Sequence, residues 1–196
     1  MLGLLAMVVC YAIFYISTVF TLDYGVRVGH IPRGTFLAVL CAGIVVMGTV
    51  TPVSAALSDR FGCRAVVLVG SALTAASGFS MAPLLGAGTV GSALAFVCLE
   101  LALMGIVFAP MGALRPSLFP AAVRYTGASA TYNIGGILGA SLAPYAAQLL
   151  LIRGGLHAVG LSIAVAAAVS FVALLLMPSS ARDVSAGGTA HFSTQR

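Results

Sequence analysis

The sequence predicts an all-α membrane protein with six transmembrane helices, and three observations lead there. Of its 196 residues, 61% are hydrophobic and only 7% charged, too little polar surface to coat a water-soluble globule. The thirteen charged side chains, nine arginines and four acids with no lysine, leave long uncharged stretches between them. Turn-forming residues fall between those stretches, so the chain divides into runs about one bilayer long.

Each span follows from this punctuation, because about 20 apolar residues cross a bilayer as a helix that satisfies its own backbone polar groups. Before Asp23 lie 22 uncharged residues, giving a span at 1–22. Between Arg33 and Asp59 lie 25 more, giving a span at 34–58. From Ala65 to Leu114 the only charge is Glu100, and Pro83 with Gly86-Ala87-Gly88-Thr89 supplies a turn, which makes two spans, 65–84 and 89–114. Tyr125 to Ile152 and Gly154 to Ala181 add 125–152 and 155–177. Residues 179–196, rich in Ser, Ala, Gly and Thr, read as a disordered cytoplasmic tail. The six-helix unit thus occupies residues 1–178.

Six crossings put both termini on one side, and arginines concentrate on the cytoplasmic side. With the termini inside, the cytoplasmic set is Arg60, Arg64, Arg115, Arg124, Arg182 and Arg196, against Arg27, Arg33 and Arg153 outside. The count favours cytoplasmic termini. The first span alone argues the reverse, since no Arg or Lys precedes it while Arg27 and Arg33 follow. It also lacks the charged n-region and cleavage site of a signal peptide, so it reads as a helix from a longer polypeptide whose cytoplasmic linker is missing.

Several function classes are disfavoured. The net charge of +5 is scattered rather than gathered into a stripe, which argues against nucleic acid. Cys10, Cys41, Cys63 and Cys98 form no CxxC pair, so neither a disulfide framework nor a metal site is indicated, and no cofactor is expected. An intramembrane enzyme needs a nucleophile and base within the bilayer. His30 and His157 lie at span boundaries and His191 in the tail, and no GxSxG or HExxH spacing occurs.

Between the second and third spans lies Leu57-Ser58-Asp59-Arg60-Phe61-Gly62-Cys63-Arg64. Gly62 permits a sharp turn, Asp59 can accept hydrogen bonds from amides at the start of the next helix, and Arg60 and Arg64 hold the loop at the cytoplasmic interface. A plain topology anchor would have the same residues. The loop resembles that of the major facilitator superfamily, whose pattern is Gly-x-x-x-Asp-Arg-x-Gly-Arg-Arg. Asp59, Arg60, Gly62 and Arg64 match, while Ala55 and Cys63 replace a glycine and an arginine.

A second stretch runs Leu118-Phe119-Pro120-Ala121-Ala122-Val123-Arg124-Tyr125-Thr126-Gly127-Ala128-Ser129, then Tyr132-Asn133-Ile134-Gly135-Gly136 with Gly139, Leu142, Ala143 and Pro144. It resembles the metabolite:proton symporter family within that superfamily, where it opens the eleventh helix. Phe14-Tyr15-Ile16-Ser17-Thr18-Val19-Phe20 is similar to the family's seventh helix, and Ser117 stands where family members usually have Glu. The resemblance covers residues 1 to about 178 and implies helices seven to twelve, one half of a major facilitator fold built of two inverted three-helix repeats. It further implies a proton-coupled importer of organic acids, osmolytes or similar small metabolites in the bacterial inner membrane. Asp59, Arg60, Gly62, Arg64 and Arg124 would then form cytoplasmic gate loops.

Candidate working residues are few. Glu100 is the only acid well inside a predicted span. Low dielectric favours a neutral carboxyl, and such a group can take up and release a proton as access alternates; a protonated structural glutamate is the plainer reading. Tyr11, Tyr15, Thr18 and Thr21 recur at helical spacing, so one face is either a cavity wall for a polar substrate or an interhelical hydrogen-bonding surface. Asn133, with Thr126, Ser129, Tyr132 and Gly136, marks one side of the fifth span, and an amide in hydrocarbon needs partners that a substrate cavity supplies. The third and sixth spans read as supporting helices. The expected partners are lipid, protons, a small-molecule substrate, and a missing N-terminal half or a second copy. The alternatives are an inactive fragment and a noncatalytic membrane partner protein.

Overall fold

The computed structural model describes residues 10, 11, 13–117 and 124–175. Regular structure among them is helical, with no strand. Four stretches are long and apolar enough to cross a membrane: Arg33–Phe61, Cys63–Gly86, Val90–Pro110 and Gly139–Val172. The chain is therefore a multi-pass helical membrane protein.

Helix α1 is helical from residue 13, passes through a π-helical stretch at Ile16–Phe20 and continues as α-helix over Thr21–Arg27. Helix α2 is Arg33–Phe61. Helix α3 starts at Cys63–Ser77, tightens to a 3-10 turn at Gly78–Ser80 and resumes over Met81–Gly86. Helix α4 is Val90–Ser117. The helical stretch Arg124–Leu175 is broken at Gly155, with φ 67 and ψ −165, into α5 (124–154) and α6 (156–175).

Glycines make three of these reversals. Gly62, Gly88 and Gly155 have φ of 88, 64 and 67, a region that carries no penalty without a Cβ. The first helix does not stop before Asp23. Arg27 Nε donates to Asp23 Oδ1 at 2.6 Å, an i,i+4 pair that lets the acid sit inside a helical turn. Residues 1–9 of the predicted first span, the Leu118–Val123 stretch and the predicted tail at 179–196 lie outside the described residues.

Contacts fix the helix directions. At one end of the α1–α5 pair, a Cβ on Gly136 would lie 3.8 Å from the Tyr11 ring. At the other end, Gln148 Nε2 donates to Asp23 Oδ2 at 2.8 Å. Both indices rise together, so α1 and α5 run parallel. On the α2–α4 pair, Gly43 meets Val97 and Leu101, Gly105 meets Met47 and Thr51, and Ser54 meets Ile106, again parallel. Helix α3 crosses α6 antiparallel: a Cβ on Gly78 would lie 2.5 Å from Gly160 O, and Arg64 Nη2 donates to Leu175 O at 2.9 Å. Helices α3 and α4 are also antiparallel, with Gly70 against Ile106 and Val107. Such glycine contacts are expected where lipid offers no hydrophobic drive and close van der Waals packing holds helices together.

The Ser54 contact follows from chemistry. Pro110 has no amide hydrogen, so the carbonyl four residues earlier, Ile106 O, loses its intrahelical donor. Ser54 Oγ, 2% exposed on α2, donates to that oxygen at 2.6 Å. A side chain from one helix thus repairs a proline defect in another. Ser54→Ala should lower stability by about 1 kcal/mol, within the range of membrane interhelical hydrogen bonds. Pro110→Ala restores an amide for Ile106 O, so adding Ser54→Ala to it should cost less than half as much. Denaturation of the purified chain in mild detergent, run as a double-mutant cycle, measures both.

Candidate functional site

The polar face of α1 is more divided than helical spacing suggests. Tyr11 and Tyr15 stack with ring centroids 6.4 Å apart, and Phe14 meets Tyr15 edge-on at 5.5 Å. Thr18 Oγ1 donates to Phe14 O at 2.8 Å, and Thr21 Oγ1 to Ser17 O at 2.6 Å. Thr21 is fully buried and does not share the partly exposed surface of Tyr11 and Tyr15. The physical reason is the π-helical stretch at Ile16–Phe20, which advances the chain less per residue than an α-helix and turns later side chains away from the expected stripe.

Across from this face lies α5. Gly136 sits against the Tyr11 ring, and Asn133, less than one turn earlier, is exposed and donates Nδ2 to Ser129 O at 2.9 Å. Thr126 and Ser129 are also exposed, while nothing is described of the Tyr132 side chain. Tyr11, Tyr15, Thr18 and Asn133 therefore belong to two neighbouring, parallel helices. That pair closes at its far end through Arg27, Asp23 and Gln148. This cluster was not anticipated, because Gln148 stands alone in an apolar run and pairs with a residue 125 positions away.

Glu100 lies fully buried on α4, with Phe96, Val97, Leu101, Leu103 and Met104 buried around it. Neither carboxyl oxygen has a hydrogen-bond partner among the described residues. Ser77 of α3 approaches it, but the Ser77 hydroxyl is directed along its own helix and donates to Thr74 O at 2.9 Å. One turn from Glu100, Met104 accepts from Cys10 Sγ of α1 at 3.5 Å. Glu100 thus has α3 on one side and α1 close by. Helix α3 carries three buried hydroxyls, Ser71, Thr74 and Ser77.

The α2–α3 turn is built on Gly62. Arg60 lies with its guanidinium carbon 5.6 Å from the Phe61 ring centroid, and Arg64 ties the start of α3 to the end of α6 through Leu175 O. A cation there complements the partial negative charge of the α6 C-terminus. Asp59 is exposed and does not cap α3, whose first turn has no side-chain cap; the helix bonds Val66 N to Gly62 O instead. Arg124 begins α5, and its side chain lies outside the described residues. No group of His, Cys, Asp and Glu able to hold a metal occurs among the described residues, and Cys10, Cys41, Cys63 and Cys98 are unbridged.

The described residues are thus apolar membrane-spanning helices packed in parallel and antiparallel pairs, with one fully buried carboxyl on α4 close to the α1 contact. The sugar (and other) transporter family model matches residues 2–181, and the chain belongs to that family of the major facilitator superfamily. It is 42% identical over 180 residues to the inner membrane metabolite transport protein YhjE of Escherichia coli, an alignment covering 89% of this chain and 41% of that one. A putative metabolite transport protein of Haemophilus influenzae is 35% identical, with 89% and 42% covered. The shikimate transporter of Escherichia coli is 29% identical, with 86% and 39% covered. The chain spans about 41% of the length of these relatives, which are transporters and not enzymes. No solved structure matches it.

The α1–α5 closure generates a prediction. Gln148→Leu removes the donor to Asp23 Oδ2 but leaves the Arg27 pair, so stability in detergent should fall by about 1 kcal/mol, while Asp23→Asn, which disturbs both contacts, should cost more. Thermal unfolding of the two variants checks the order.

Proposed function

We propose that this chain is one six-helix half of a proton-coupled carrier for small metabolites of organic acid or osmolyte type, working in the bacterial inner membrane with an N-terminal half or a second copy. The observation that carries the reading is the pattern of helix pairs. Exchanging α1 with α4, α2 with α5 and α3 with α6 turns the parallel pair α1–α5 into α4–α2, and returns α3–α6 to itself. That is the pairing expected of two inverted three-helix repeats. The share of its relatives that the chain spans fits one half of the whole.

In this reading Glu100 carries the coupling proton, because a buried carboxyl with no hydrogen-bond partner among the described residues can bind and release one as its surroundings change. Tyr11, Tyr15, Thr18 and Asn133 face the substrate. Asp59, Arg60, Gly62, Arg64 and Arg124 stand at the cytoplasmic gate, and the arginine count supports termini inside. Relatives named as shikimate and as proline/betaine transporters indicate the range of candidate substrates.

The test uses proteoliposomes holding this chain together with the N-terminal half of YhjE, with labelled shikimate or betaine supplied in turn on the outside. Uphill accumulation should follow an acid-outside pH gradient, and Glu100→Gln should reduce it roughly tenfold or more while leaving substrate counterflow. Undiminished accumulation in that variant removes Glu100 from coupling. Reporter fusions after residues 30 and 86 should read as outside and a fusion after 62 as inside; the opposite pattern overturns the orientation.

A further inference from the structure

Helix α1 keeps α-helical spacing on both sides of its π-helical stretch. Before it, Tyr11 and Tyr15 stack one turn apart with ring centroids separated by 6.4 Å. From its last residue onward, Phe20 and Tyr24 stack in the same way at 6.2 Å. Each side is anchored separately. In the segment before the stretch, Cys10 Sγ donates to Met104 of α4 at 3.5 Å, and the Tyr11 ring lies against Gly136 of α5. In the segment after it, Gly25 is packed on the Phe36 ring of α2, and Asp23 accepts from Gln148 of α5 at 2.8 Å. A π turn bonds i to i+5 and so takes in one residue more than an α turn. Ile16–Phe20 therefore carries an extra residue between two anchored segments. Were the same residues to close as α-helix, one segment would turn relative to the other by about 100° and shift by about 1.5 Å.

One residue answers what the π geometry leaves behind. In an α-helix the Ser17 carbonyl would take the amide of Thr21, four residues on. Here the Thr21 amide donates instead to Ile16 O, five residues back, and to Thr18 O. Thr21 Oγ1 donates to Ser17 O at 2.6 Å, the oxygen that its own amide has left, and approaches Thr18 O at 3.3 Å. Thr21 is fully buried, and a carbonyl without a donor in hydrocarbon is costly. Thr51, Ser58 and Thr74 also bond the carbonyl four residues back, but they stand in α-helical stretches, where the main-chain amide is the regular donor to that oxygen. At Thr21 the amide is diverted and the hydroxyl takes its place.

Resting on the reading of Tyr11 and Tyr15 as substrate-facing, we infer that Thr21 is the positioning residue of that face: its hydroxyl holds the π stretch and so fixes the rotation at which Tyr11 and Tyr15 stand beside α5. Without the hydroxyl, Ser17 O regains a donor by taking the Thr21 amide, the stretch closes as α-helix, and the extra residue turns the segment that carries Tyr11 and Tyr15. That segment turns rather than Thr21–Arg27, because Gly25 is packed on Phe36 and Asp23 is bonded to both Arg27 and Gln148. Thr21 acts through the tyrosines, since its own hydroxyl is engaged with Ser17 O.

The experiment needs no transport. The purified chain in lipid nanodiscs, isotope-labelled at its tyrosine rings and glycine α-carbons, is measured by solid-state NMR, and the cross-peak lost in Tyr11→Phe reports the contact of Tyr11 with Gly136. Thr21→Val, which keeps the shape and removes the donor, should weaken this peak roughly threefold or more, and Thr21→Ser should restore it. Deleting Val19, which is 46% exposed, removes the extra residue and lets the stretch close as α-helix with both segments in place. In that background the peak should persist, and Thr21→Val should leave it unchanged. An undiminished peak in Thr21→Val overturns the positioning role, as does equal weakening in the chain lacking Val19, or a peak that Thr21→Ser does not restore. Circular dichroism shows whether each variant is folded. If Thr21→Val alone does not fold, recovery by the Val19 deletion supports the role and no recovery overturns it. Betaine counterflow by the chain assembled with the N-terminal half of YhjE separates this inference from the reading it rests on. A weakened peak with an unchanged half-saturating concentration leaves Thr21 as the positioning residue and removes Tyr11 and Tyr15 from the substrate site.

Discussion

Hydrocarbon offers no hydrogen bonds, and the arrangement of these helices depends on that fact. A carbonyl that proline strips of its donor, a hydroxyl turned inward or an amide side chain must be answered from within the protein. Ile106 O is answered by Ser54 from another helix. Thr18, Thr21, Thr51, Ser58 and Thr74 answer themselves, each donating to a carbonyl on its own helix. Asp23 is answered twice, by Arg27 one turn on and by Gln148 across a helix pair. Against this background Glu100 stands out, because neither of its buried carboxyl oxygens has a hydrogen-bond partner among the described residues. An ionised carboxylate would be costly in that position, whereas a neutral carboxyl needs far less from its neighbours.

Much of the fold was legible because charges and glycines do the punctuating. Helices α2, α3 and α4 occupy the runs from Arg33 to Asp59 and from Arg64 to Arg115, inside which Glu100 is the sole charge, and Gly62, Gly88 and Gly155 mark three of the reversals. Where charge misled, a local interaction explains it: Asp23 did not end α1 because Arg27 lies one turn later on the same helix face. Pairing of helices was not legible. Nothing local in Gly78 announces Gly160, since the contact is between two backbones and depends on how α3 and α6 cross. That the pairs Gly136 with Tyr11 and Gln148 with Asp23 are both spaced by twelve residues became visible only once the helices stood side by side.

The candidate site was legible in its chemistry and not in its geometry. A lone acid in a long apolar run points to Glu100 without any structure. The buried hydroxyls of α3 do not stand out, because serines and threonines occur in every span and only tertiary packing selects Thr74 and Ser77 for burial. Reading α1 as one polar stripe assumed a constant 100° per residue. The π-helical stretch breaks that assumption at Ser17 and Thr21, which turn inward while Tyr11 and Tyr15 remain at the surface shared with α5.

The division of labour between helices sets a condition on any coupled mechanism. Glu100 belongs to α4, whereas Tyr11 and Asn133 belong to the α1–α5 pair, so proton and substrate would be held by different helices. The link between them is short. Met104, one turn from Glu100, touches Cys10, and Cys10 precedes Tyr11 in sequence. Charging Glu100 puts a desolvated carboxylate into the seam with α3, which favours water entry or separation of α3 from α4. Helix α4 is pinned to α2 by glycine contacts and by the Ser54 bond, while α1 is held to α2 where Gly25 meets the Phe36 ring and touches α4 through the Cys10 thiol and the Met104 thioether. Displacement of α1 would shift Tyr11 relative to Gly136 at one end, while the Asp23 and Gln148 contact resists movement at the other. In the proposed reading, the proton-bearing and substrate-facing residues therefore lie on different helices, joined through the Cys10–Met104 contact without sharing a side chain.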